Sequence, residues 1–323
     1  MPATTRPISL ARRMAFLLYP AFQIGAFLAG TLPPRLGFWL CRRGGDLAFA
    51  LLPGRRGITA ANFARVSSLR PDDEAVLGMV RRSFRYHGEY LYETVRLSHQ
   101  SKEEVLDRVT VQGKEHLLRA LEHGKGVIFV SAHMGNMDLG AIALAHLTGP
   151  MTIAGTALEP RQVMDRLVAQ RRAKGLKMSV YASAARDVLM ALRHNETVGF
   201  LVDVGVRWNG NSSVVVDFFG APAPFPAGLA QLALRTGAPI VPGYAVIRQD
   251  HSIDAFVLPP MVVAATGDRA ADAKACMQQV AHVMEGFIRN NLDQWYMYRP
   301  MWDRPGRAEQ GTVAATTEGE CLN

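Results

Sequence analysis

Gly126 to Gly140 reads GVIFVSAHMGNMDLG and holds the two side chains best suited to proton transfer, His133 and Asp138. A neutral imidazole accepts a proton near neutral pH, and a carboxylate beside it fixes its tautomer and stabilises the imidazolium that forms. The two residues are five apart, roughly 140° around a continuous helix, so on one helix they would face different ways. They meet only if His133 sits in a loop and Asp138 in the first turn of the helix that follows. The flanking residues allow this. Val127, Ile128, Phe129 and Val130 form a β-branched and aromatic run, Gly135 and Asn136 punctuate it, and an apolar periodic segment extends from Met137 to Leu147. Asn136 suits an N-cap, and the backbone N–H groups near Gly135 and Asn136 are candidate donors to a developing oxyanion. A histidine at a strand end before a Gly-Asn turn is equally compatible with an ordinary loop residue.

Other candidates are scattered. Thr197 to Val202 reads as a strand ending at Asp203, a placement suited to function in an open α/β sheet, with Arg207 in the loop beyond it. Asp203 and Arg207 are equally compatible with a structural ion pair. Glu159 to Lys174 reads as a helix with an apolar stripe and a basic face that includes Arg171 and Arg172, either solvated or facing a phosphate-rich or carrier-protein partner. Phe218 and Phe219 line an acyl groove or fill the core. There is no Gly-x-Ser-x-Gly elbow, and no cysteine accompanies His133, so the sequence shows no signature of a covalent nucleophile and favours direct attack by an acceptor that His133 deprotonates.

Several strings carry a family resemblance. SAHMGNMD is similar to the His-x4-Asp/Glu motif of the bacterial lipid A late acyltransferases within the glycerolipid acyltransferase superfamily. DFFGAPA, the Pro-Ala-Gly at 226–228, TGAPIVP, DQWYMYRPMW and the Asn62-containing ITAANFARV resemble further stretches of that family, with Phe225 where a small hydroxylated residue is usual. The resemblance covers about residues 10 to 302. It implies transfer of a fatty acyl group from acyl carrier protein or coenzyme A to a glycolipid or phospholipid hydroxyl, a lipid A precursor being the leading acceptor. It also implies His133 as base with Asp138 as its partner, an arginine of the basic helix holding phosphate, and a place at the cell inner membrane facing the cytoplasm. No cofactor and no metal are expected. A hydrolase using His133, Asp138 and Asp203, and a noncatalytic membrane-associated protein on the same scaffold, are the alternatives.

The elements that must position these groups read as an α/β domain. Short apolar runs alternate with helical segments, pointing to βαβ units and a mostly parallel mixed sheet covered by helices. At 323 residues with 49% hydrophobic, the chain can bury a sizeable core, and its formal charge of +8 suits phosphorylated ligands or an anionic membrane surface. No zinc-finger spacing, RNP-like string or dense basic run points to nucleic acid. Three distant cysteines suggest a reducing compartment.

Met14 to Pro34 carries no charge and reads as a hydrophobic helical membrane anchor or interfacial helix over 1–34, with a buried core helix as the alternative. The catalytic domain is expected over 35–302 and a disordered tail over 303–323. Asp72 to Leu97 reads as a helix with Val76, Phe84 and Leu91 among its core positions, and with His87, Glu89, Tyr90 and Glu93 on a face that is solvated or borders a cleft.

Overall fold

A computed structural model describes residues 10–155, 160–180, 184–203, 213–261, 263 and 265–302. The chain opens with four helices, α1 (Leu10–Thr31), α2 (Pro34–Leu51), α3 (Pro53–Ser67) and α4 (Glu74–Arg96). A short turn at Leu97–His99 and α5 (Lys102–Leu106) lead into β1 (Val109–Gln112), α6 (Lys114–Leu121), β2 (Val127–Ser131), α7 (Met137–Thr148), β3 (Met151–Ala154) and α8 (Arg161–Ala173). Then come β4 (Leu176–Ser179), α9 (Ala184–Arg193), β5 (Thr197–Leu201), β6 (Ser213–Phe218), β7 (Ala221–Pro226), α10 (Ala227–Thr236), β8 (Ile240–Ile247), β9 (Ile253–Val257) and α11 (Arg269–Asn290).

Among the described residues, seven strands form one sheet in the order β1-β9-β8-β2-β5-β3-β4. Every pairing in it is parallel except β8 with β9. This is the expected mostly parallel architecture, and it places β2 in the middle. Side chains of β2 alternate between the two faces, Ile128 and Val130 joining one core and Val127 and Phe129 the other. Burial on both faces is why the strand is continuously apolar.

The β6–β7 hairpin is a separate antiparallel pair, docked on α11 where Gln278 exchanges two hydrogen bonds with the backbone of Asp217. The sequence APAPFP gives little sign of β7, since proline cannot donate to a ladder. The strand forms because it pairs on one side alone.

Two sequence expectations are narrowed in the N-terminal half. Helix α1 forms and runs through Pro20, but among the described residues no helix is long and apolar enough to cross a membrane, so a spanning anchor is not supported. The expected solvated face of α4 turns inward. Glu89 and Glu93 are buried, while Leu91, expected in the core, is half exposed. Glu89 is compensated by an ion pair with Arg42 and a contact with the His251 Nδ1 (2.8 Å), and Glu93 by an ion pair with Arg108 (2.8 Å). Buried carboxylates are tolerated only when paired in this way. The inward turn follows from a close crossing. A Cβ on Gly45 would lie 2.5 Å from the Phe84 carbonyl oxygen, and one on Gly88 2.4 Å from that of Cys41, so α2 and α4 touch backbone to backbone.

The expected tail at 303–323 lies outside the described residues.

Candidate active site

His133 leaves the C-terminal end of β2, and Asp203 leaves that of its neighbour β5. The two strands pair in parallel with Ser131 opposite Leu201, and the Val202 N–H donates to the Ser131 carbonyl (3.2 Å), so the next residues on each chain fall side by side. The imidazole Nδ1 lies 2.7 Å from Asp203 Oδ1, and the His133 backbone N–H donates to Oδ2 (2.9 Å). The Trp295 indole N–H donates to the same Oδ2 (2.9 Å). Burial favours the neutral acid of Asp203. The facing imidazole and the donated hydrogen bonds outweigh it and hold the carboxyl below its ordinary value. An ionised carboxylate only accepts, so the proton belongs on Nδ1, leaving Nε2 with a free lone pair. Burial likewise disfavours imidazolium, but the charge and hydrogen bond of Asp203 raise His133 above its ordinary value against a smaller opposing effect of Arg299. The His133 side chain keeps a third of its surface open.

Asp138 is not the partner expected for the imidazole. It lies in the first turn of α7, buried, and takes a two-pronged ion pair from Arg171 on α8, with Nε 2.9 Å from Oδ1 and Nη2 2.7 Å from Oδ2. The Tyr90 hydroxyl of α4 adds a bond to Oδ2 (3.2 Å). The guanidinium is held protonated by this carboxylate despite its burial, and burial with the nearby charge of Asp138 raises the Tyr90 phenol. Asp138 therefore ties three helices together behind the loop, and its capacity for hydrogen bonds is already committed.

The loop between His133 and Asp138 is clamped by the segment after α11. The Gly135 N–H donates to the Gln294 carbonyl (2.9 Å) and the Tyr296 N–H to the His133 carbonyl (2.8 Å). The expectation that the Gly135 N–H is free for an oxyanion is thus corrected, because the neighbouring chain consumes it. Gly135 has φ +54°, and a Cβ there would sit 1.9 Å from the Ala245 carbonyl oxygen, so no larger residue fits. Asn136 is buried and caps α7 by accepting from the Leu139 N–H (3.1 Å), while its amide nitrogen has no partner among the described residues. Asn62 holds the clamp from α3, donating to the carbonyls of Met297 (3.0 Å) and Arg299 (2.8 Å).

The other sequence candidates fall elsewhere. Arg172 is exposed on α8, and Arg207 lies outside the described residues. Phe218 is fully buried and Phe219 nearly so, packed with Trp295 and Trp302. That is core packing, the second of the two roles left open for them. Sequence reasoning missed Trp295 and Tyr90 as polar contacts of the two aspartates. Tyr90 packs in an aromatic cluster with His87, Tyr296 and Tyr298, with ring separations of 5.1 to 6.2 Å. Burial, with a smaller effect of Arg55, lowers His87 to about 4, so it is neutral near pH 7.

An accessible Nε2 on an imidazole anchored by an ionised carboxylate can take a proton from a hydroxyl. The phosphatidylinositol mannoside acyltransferase of Mycobacterium tuberculosis (strain CDC 1551 / Oshkosh) is 30% identical over 249 residues, 75% of each chain. That of Mycolicibacterium smegmatis (strain ATCC 700084 / mc(2)155) is 27% identical over 245 residues, 75% of this chain and 77% of its own. The family described as bacterial lipid A biosynthesis acyltransferase matches residues 10–304, nearly all of the described structure, and this chain belongs to that family of acyltransferases.

Proposed function

We propose that the protein transfers a fatty acyl group from a thioester of acyl carrier protein or coenzyme A directly to a hydroxyl of a phosphorylated glycolipid at a membrane surface. The observation that carries this reading is the His133–Asp203 pair, an imidazole oriented through Nδ1 by a buried carboxylate while a third of its side chain stays exposed. His133 Nε2 takes the acceptor's proton as its oxygen attacks the thioester carbonyl carbon. A tetrahedral oxyanion forms, and Asp203 stabilises the imidazolium across Nδ1. Collapse breaks the C–S bond, and the imidazolium returns the proton to the leaving thiolate. Asp138 and Arg171 act as positioning residues that fix α7 against α8, while Arg172 on the exposed face of α8 meets phosphate.

Family membership alone favours a lipid A precursor as acceptor. The curated relatives are phosphatidylinositol mannoside acyltransferases, which favours a mannosylated phosphatidylinositol. The cytoplasmic face of the inner membrane supplies both carrier-bound donors and such acceptors. Purified protein offered carrier and coenzyme A thioesters against lipid A precursors and phosphatidylinositol mannosides, with products read by mass, tests the assignment. A new ester appearing only when a glycolipid is present supports it. Free fatty acid released at the same rate with and without acceptor would instead identify a hydrolase.

A further inference from the structure

On the far side of α8 from the Asp138 pair, a groove of about 550 Å³ runs between α1, the Leu97–His99 turn and α8. That volume lies in the range of small-molecule sites, about 300–1,000 Å³. One wall is apolar, with Phe22 and Phe27 from α1, Leu97 from the turn and Ala169 from α8. The α8 wall also carries Arg166, with Lys174 at its end donating to the Gln100 carbonyl, and among the described residues no acidic side chain lines the groove. The apolar wall of α1 repeats at helical spacing and ends at Gly30, where a Cβ would stand 2.6 Å from the His99 ring, so the helix seats tightly on the turn at that end. Beyond the groove α1 leaves Ile24 and Leu28 exposed, and α2 leaves Leu36, Trp39 and Leu40 exposed.

We infer that this groove binds one anionic phospholipid, its acyl chain along Phe22, Ala26 and Phe27 and its phosphate on Arg166, with the charge of Lys174 nearby. The pairing of an apolar trough with cations along one wall matches an amphiphile with a charged head. The exposed leucines and Trp39 beside the groove would rest on the layer from which the lipid comes. The site is separate from the His133 centre, so it stands whichever acceptor that centre uses.

Calorimetry on the full chain tests this with monomeric dioctanoyl phosphatidate, dioctanoyl phosphatidylcholine and inorganic phosphate as probes. Phosphatidate should bind about 10-fold more tightly than the choline lipid, and phosphate alone should give no measurable binding. Arg166→Glu should remove that preference, while Ala169→Trp, which fills the groove from an exposed helix position, should abolish binding of both lipids. Both variants must keep the thermal transition of the parent, and each alters an exposed residue, so either suffices if the other fails to fold. Phosphatidate binding unchanged by Ala169→Trp would overturn the inference. So would an equal loss from Arg235→Glu, a reversal of an exposed cation on α10, or phosphate binding as tight as phosphatidate.

Discussion

At the scale of residues, the motif divides its labour. His133 turns to Asp203 on the neighbouring strand, while Asp138 is spent on Arg171 and Tyr90. In the proposed mechanism the neutral imidazole is the active form, so turnover should fall as pH drops through the His133 pKa, above its ordinary value of about 6.5. Asp203→Asn should move this limb to lower pH and cut kcat by about 10²–10⁴-fold, read from pH–rate profiles of the two proteins. The same shifts govern stability. A raised His133 contributes below its unfolded value and loses the contribution as pH rises through its folded one. A lowered Asp203 contributes above about 3.9 and loses it on acidification, so their joint stabilisation is greatest between roughly pH 4 and 6.5. Arg171→Ala should be costly for a different reason. It leaves Asp138 buried without its cation, about 3–5 kcal/mol by urea unfolding, whereas Tyr90→Phe should cost about 1 kcal/mol. The sequence shows His133, Asp138 and Asp203 as candidates, yet not who pairs with whom. That depends on β5 lying beside β2, and strand order is set by long-range packing that local patterns do not record.

At the scale of elements, the site depends on backbone approach. Strand β2, the loop and α7 were legible because β-branched residues, Gly135 and the Asn136 cap each carry a local signal. The face of α4 was not, because a polar stripe reads as solvated unless its buried partners are known, and Arg42, Arg108 and His251 come from three other elements. The hairpin strand β7 was hidden by its prolines. Gly135→Ala should impair the loop more than the fold. The added methyl collides with the Ala245 carbonyl, so the loop must leave the Gln294–Tyr296 clamp. Turnover should fall by at least about 10-fold while the denaturation midpoint shifts by no more than about 1–3 kcal/mol, measured on the same preparation.

At the scale of the molecule, α1 and α2 present apolar side chains on a chain of net charge +8. Proposed contact with an anionic bilayer then has two parts, insertion of side chains and attraction of charge. Raising the salt from about 0.1 M to 1 M shortens the screening length from roughly 10 Å to 3 Å, so sedimentation with anionic vesicles should weaken strongly, while any retention on neutral vesicles should not. The parallel sheet was legible from the alternation of strands and helices. The length and continuity of α1 were not, because Pro20 and Gln23 argue against a spanning helix without saying that the segment will pack on α4 and α8.

The central claim is that the His133 imidazole removes the acceptor's proton, and its most direct test is the transfer rate of His133→Ala under saturating donor and acceptor. The variant should keep the parent's thermal transition and lose about 10²–10⁴-fold in rate. A folded His133→Ala protein that transfers acyl groups at the parental rate would contradict the account and place the base elsewhere.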